Sequence, residues 1–222
     1  LLGSCAAQLM GEGQPSSYPR PLAAVTVLAP DRLRGQDPAA AELAGVCAFL
    51  APEPVPPEWF PAAAAVLPVA LAGPAADPVA WRQLLASLGR SALARVDSSG
   101  LLMHRLTQAI IRISLPPDQA EAARDLAEAV LAASQPGDTD IPGTWPAWAR
   151  LLPHLLVLDL AATSNLDLRE LARKEARYLI MRGDPRSSLD LASHLYQRWR
   201  DPLSRPVHHV DGEHVGLRLA RY

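Results

Sequence analysis

Leu93-Ala94-Arg95-Val96, Asp97-Ser98-Ser99-Gly100 and Leu101-Leu102-Met103-His104 follow one another without a break, and along them the hydrophobic period of the chain changes. Two short apolar segments flank a tetrapeptide of turn formers, with Gly where a left-handed dihedral is often needed. The run therefore reads as a β-hairpin. A lone hairpin is marginal in water and must pack on neighbouring elements. Those elements are signalled on both sides. Asp37-Pro38 is an N-cap followed by proline at the first helical position. Ala41, Leu43, Ala44, Val46, Cys47 and Leu50 then give a helix apolar almost all round, hence buried, that stops before Pro52. Pro56–Val66 predicts a short second helix, opened by Pro57 and by Glu58, whose carboxylate suits the positive helix end. Asp77-Pro78 repeats the cap signal, and a helix over 78–90 buries Val79, Leu84, Leu85 and Leu88 and ends near Gly89. After the hairpin, Arg105–Leu115 forms a closing helix that stops at Pro116-Pro117. Three helices, a hairpin and a closing helix make a winged-helix pattern over 30–116.

Working outward, the segment 1–29 reads as the end of a preceding helix and a linker. Leu1–Met10 is helical, Gly11 and Gly13 end it, and Gln14–Pro21 is polar and proline-bounded. Leu22–Leu33 is apolar without a decisive period. Because the chain opens in a helix with no initiating Met, it reads as a piece of something longer. From 117 to 222 the pattern is helix and hinge. Asp118–Ser134 is amphipathic, with Ala122, Leu126, Ala129, Val130 and Ala133 on one side; Gln135–Thr144 is a loop; Trp145–Leu158, Leu166–Arg182 and Pro185–Arg200 are helices. Pro153 predicts a kink in the first of these three. In Arg182-Gly183-Asp184-Pro185, Gly is a left-handed C-cap, Asp an N-cap and Pro the first helical residue. Helix pairs joined by so few residues are the unit of helical solenoids.

Composition agrees with a mainly α-helical chain. Of 222 residues 49% are hydrophobic but only 5% aromatic, so the core is built from Ala, Leu and Val. The 22 prolines cluster between the helices. The net charge of −2 lacks the basic excess of a dedicated nucleic-acid binder. Within 30–115, seven arginines face seven carboxylates, and the candidate recognition helix offers only Arg82, Gln83 and Arg90 as base readers. A winged-helix transcription regulator that touches DNA is therefore the second reading. Cys5 and Cys47 lie far apart in apolar helical contexts and read as buried free thiols. There is no signal peptide, and the longest apolar run, Ala62–Gly73, is cut by Pro68 and too short to span a bilayer, which points to the cytoplasm.

Two stretches carry a family resemblance: Ala48-Phe49-Leu50-Ala51-Pro52-Glu53-Pro54-Val55-Pro56, and Leu101-Leu102-Met103-His104-Arg105-Leu106-Thr107-Gln108-Ala109. They resemble the winged-helix region of actinobacterial STAND NTPases of the NB-ARC type, in which tetratricopeptide repeats follow directly. Ala176–Trp199, with Gly183-Asp184 at its hinge and Ser188, Ala192 and Leu195 inward on the second helix, is similar to one such repeat. The resemblance spans residues 18–200. It implies a signalling switch in which an upstream P-loop domain holds ADP at rest and exchanges it for ATP, the winged helix relays nucleotide state, and the repeats engage a protein or peptide. The family's Met-His-Asp signature sits at the end of the wing, where its His reaches the β-phosphate of ADP. Met103-His104 matches two of its positions, and Arg105 stands where Asp is usual. His104 is thus implied as a phosphate sensor in the full-length protein.

No catalytic centre is legible in this segment. A P-loop needs Gly-x4-Gly-Lys-Ser/Thr so that amides and a lysine cradle the phosphates. The sole lysine, Lys174, lies mid-helix without glycines. No His-Glu-x-x-His and no Gly-x-Ser-x-Gly occurs. No bound cofactor or metal is expected in this segment. His208-His209-Val210-Asp211-Gly212-Glu213-His214 concentrates ligand types, but at no closed-site spacing, and reads as a solvated loop. Trp145, Trp148 and Trp199 are candidates for an aromatic peptide-binding groove, against the plainer alternative of packing between helices.

Overall fold

The computed structural model describes residues 21–160 and 162–200. The described chain is mainly α-helical, with one antiparallel β-hairpin packed among several helices. It divides into two compact units, and the division falls between Asp125 and Leu126. That point lies inside a helix, downstream of the boundary at 116/117 drawn from the proline pair.

The first unit holds α1 (Pro21–Gln36), α2 (Pro38–Cys47), the one-turn α3 (Trp59–Ala62), α4 (Val69–Ala76), α5 (Pro78–Arg90), β1 (Arg95–Asp97), β2 (Gly100–Leu102) and α6 (Arg105–Ser114). Both aspartate caps form as their sequence predicts: Asp37 accepts from the amide of Ala40 at 3.0 Å and Asp77 from that of Val79 at 2.8 Å. Helix α2, apolar on nearly every side, is the centre of this unit, and α1, α4, α5 and α6 all pack against it. Leu43, Val46 and Cys47 have no exposed surface. Phe60 and Trp81 meet beside it with ring centroids 5.6 Å apart.

Several details differ from the sequence-based expectation. Leu22–Leu33, whose apolar pattern has no decisive period, belongs to α1 despite Pro30 in its interior. The second helix expected over 56–66 is a single turn, and a separate helix, α4, starts after Pro68. Proline disfavours helical dihedrals in the residue before it, so the chain breaks at Leu67 and restarts at Val69. On α5 the buried face is Trp81, Leu84, Leu85 and Leu88, while Val79, in the first turn, is 53% exposed. The strands are shorter than the two apolar tetrads. Ala92 takes a φ of +59° as the chain leaves α5, which delays the first strand, and His104 already caps α6.

The hairpin turn is set by side chain and backbone together. Asp97 accepts from the amide of Ser99 at 2.8 Å, and Gly100 sits at φ +130°. The register pairs Arg95 with Leu102, Val96 with Leu101 and Asp97 with Gly100. Leu101 makes a second pairing on its other side. Its amide donates to the carbonyl of Val55 at 2.9 Å, and its carbonyl accepts from the amide of Val55 at 2.8 Å. The segment after α2 thereby adds a one-residue bridge to the sheet edge.

Helix α7 (Pro117–Ala133) contains the division between the units. Its buried residues are Ala127, Glu128, Val130 and Leu131, whereas Ala122 and Ala133 of the expected face are exposed. In an alanine-rich helix the apolar contrast is weak, and of its three bulky aliphatics the adjacent Val130 and Leu131 are the fully buried pair that sets the side. The second unit continues through a 3-10 turn at Pro142–Thr144 to α8 (Trp145–Leu156), α9 (Leu166–Met181) and α10 (Pro185–Arg200). Helix α9 packs against both α8 and α10. Asn165 caps α9 through the amides of Asp167 and Leu168. The hinge behaves as read: Gly183 has φ +90° and Asp184 accepts from the amide of Ser187 at 3.1 Å. Across the hinge, the hydroxyl of buried Ser188 donates to the carbonyl of Ala176 at 2.7 Å.

Candidate functional site

His104 lies where β2 hands over to α6. Its backbone is extended, its side chain is exposed, and its Nδ1 accepts from the amide of Leu106 at 3.2 Å. That bond decides the tautomer: in the neutral ring the proton is on Nε2, which is left as a donor facing outward. Beside it opens a cavity of about 330 Å³, within the range of small-ligand sites. Its polar lining is Arg95, His104, Arg105 and Thr107, with Pro52 and Leu102 among the apolar walls. Every charged side chain in that lining is cationic, so the cavity favours an anion. Arg105, the first residue of α6, contributes to this sign. Arg95 is partly committed, its Nε lying 2.8 Å from Asp97 Oδ2 in an exposed pair.

The three tryptophans differ in exposure and in partners. Trp148 has no exposed surface and stacks on Tyr178, with centroids 6.2 Å apart and planes at 20°. Trp145 meets the same tyrosine edge-on at 6.4 Å, and its Nε1 donates to the carbonyl of Thr139 at 2.9 Å. Trp199 stands elsewhere in the second unit: its Nε1 donates to the carbonyl of Leu160 at 3.2 Å, and the Arg169 guanidinium lies over its ring at 5.4 Å. Trp145 and Trp199 keep partial exposure, and Trp148 is core.

Lys174, the sole lysine, donates to Gln135 Oε1 at 2.8 Å, and Arg177 grips Asp140 through two bonds, so α9 holds the 135–144 loop by its cations. Cys47 is a free, fully buried thiol, and burial pushes its pKa up to about 12, which makes it a poor nucleophile at neutral pH. Among the described residues no group of three or more His, Cys, Asp or Glu is placed to hold a metal ion. The His208–His214 cluster and Cys5 lie outside the described residues.

Sequence reading missed the buried ionisable groups Glu128 and His154 and, most fully enclosed in an apolar stripe, Glu175. It has no exposed surface, neither carboxylate oxygen has a hydrogen-bond partner, and burial pushes its pKa up to about 8, against a smaller opposing pull from Arg182. The signal was present: Leu168, Leu171, Ala172, Glu175, Ala176 and Leu179 are all buried on α9, and their spacing is one helical stripe. It also missed that Gln108 and Arg112 of α6 close the end of α2. Gln108 Nε2 donates to the carbonyls of Leu50 at 2.9 Å and Cys47 at 3.1 Å, and Arg112 donates to that of Ala48 at 2.5 Å.

Comparison with known proteins returns no family model, no curated protein and no solved structure that matches this chain. Among the described residues no helix is long and apolar enough to cross a membrane.

Proposed function

We propose that the first unit is a winged-helix module and that α9 and α10 form a tetratricopeptide-like hairpin. Together they make the regulatory, protein-binding part of a cytoplasmic signalling NTPase of the STAND type, with no bond-breaking chemistry in the segment itself. The observation that carries the reading is His104: a histidine at the end of the hairpin whose capping bond leaves Nε2–H outward, beside a cavity whose charges are all positive. A phosphate there would accept from Nε2 and from Arg105. The order of elements supports the module: a buried helix, a bridging residue at Val55, the one-turn α3 and two longer helices, a hairpin, then a closing helix. The nucleotide itself, ADP at rest and ATP on activation, would be held by a P-loop domain encoded upstream, and the repeats would engage a protein or peptide.

The test is the ADP content of the intact gene product after purification without added nucleotide, compared with His104→Ala and His104→Asn. Asparagine keeps the helix cap and removes the imidazole donor, so it separates sensing from folding. Loss of one charge-assisted hydrogen bond to phosphate should weaken ADP retention roughly ten- to a hundredfold in both variants. Full ADP content in both, rescue by Asn, or a gene with no P-loop lysine upstream would overturn the reading.

A further inference from the structure

A second, larger groove runs between α5 and β1, with a volume of about 720 Å³. Arg82 and Arg90 rise into it from α5 and Arg95 from β1, while Leu85, Ala94 and Val96 form its floor. All three arginines are exposed, and no carboxylate is among the described residues of its lining. The segment 30–115 carries as many acids as arginines, yet the fold collects three of its seven arginines in this one trough. Arg82 Nε donates to the carbonyl of Pro78 at 3.1 Å and Arg95 Nε lies 2.8 Å from Asp97 Oδ2, which leaves the terminal nitrogens of both for a ligand. Between Arg82 and Arg90 the helix presents Ala86 and Gly89, small enough to let another main chain lie close.

We infer that this groove docks an acidic peptide segment of a protein partner, its carboxylates pairing with Arg82, Arg90 and Arg95 while an aliphatic side chain covers Leu85, Ala94 and Val96. An apolar floor inside a charged rim is the anatomy of a protein interface, and arginine forks suit carboxylates. A nucleic acid fits less well. Helix-in-groove docking would bring the start of α5 and the hairpin turn against phosphates, and each presents an exposed aspartate, Asp77 and Asp97. The inference does not rest on the nucleotide reading: the groove shares Ala94 and Arg95 with the cavity beside His104, but it needs neither His104 nor an upstream domain.

Fluorescence anisotropy of the chain with a fluorescein-labelled peptide of Glu-Leu-Glu-Ala repeats tests it, with a Lys-Leu-Lys-Ala peptide and a labelled random DNA duplex alongside. The acidic peptide should bind, bind more weakly as salt rises, and lose about tenfold or more in affinity in the Arg90→Glu/Arg95→Glu variant. Circular dichroism checks that the variant is folded, and should it not be, Arg82→Gln/Arg90→Gln replaces it. No binding of the acidic peptide, equal binding by the variant, or arginine-dependent binding of the duplex in its place overturns the inference, and the last outcome assigns the groove to nucleic acid.

Discussion

Glu175 occupies a place that the helical period of α9 reserves for apolar side chains, and the fold keeps it there as an acid that resists ionisation. An unpaired carboxylate is costly away from water, so the native state favours the protonated form. The unfolded chain titrates at the ordinary value of 4.5, while the folded one holds its proton until about 8. Between those two values the native state binds one more proton than the unfolded state. Stability is therefore fully present below the lower value, falls as pH rises through the window, and levels off above the upper one, with a slope of at most about 1.4 kcal/mol per pH unit. Denaturant midpoints measured across the window should show that decline, and Glu175→Gln, which cannot ionise, should flatten it. Parallel profiles for the two proteins would mean that the carboxylate finds a partner in solution. His104 is the opposite case, an exposed group whose one fixed bond sets its donor outward, and the sequence marked it by position alone.

At the scale of elements, two contacts hold the hairpin and the central helix in place. Gly100 combines a left-handed φ with a close approach: a Cβ built there would lie 2.7 Å from the carbonyl oxygen of Val55. Gly100→Ala should destabilise the protein by roughly 1–3 kcal/mol, because the strain falls on the bridge that joins Val55 to Leu101. Equilibrium unfolding measures it, and an unchanged midpoint would show that the bridge is dispensable. At the end of α2 the Cys47 carbonyl accepts from the Leu50 amide at 3.3 Å, and Gln108 reaches it and the Leu50 carbonyl from α6. Gln108→Leu should cost on the order of 2–3 kcal/mol. Gln108→Glu should be worse at neutral pH, since a carboxylate presents only acceptors to those carbonyls. A smaller loss for Glu than for Leu in the same unfolding experiment would refute this account. Neither contact was legible beforehand. The Asp97–Gly100 turn is local chemistry, but Val55 and Gln108 act across more than forty residues of sequence, and no period or cap encodes such a pairing.

Over the whole molecule, what the chain alone determined is the alternation of helix and break. Asp37-Pro38, Asp77-Pro78 and Gly183-Asp184-Pro185 fixed helix starts because a cap depends on the backbone within three residues of itself. The hairpin followed from its turn residues, and the burial of α2 from an apolar surface with no polar side. Tertiary structure alone decided which face of the alanine-rich α7 is inside, that the two compact units divide within that helix, and that Trp148 is core while Trp145 and Trp199 keep some surface. It alone brought Arg82, Arg90 and Arg95 to one groove and placed Arg95 beside the adjacent pair His104-Arg105. The reason is range. Caps, turns and periods are settled by bonds a few residues long, whereas a site is made by side chains that meet only after the helices between them have packed.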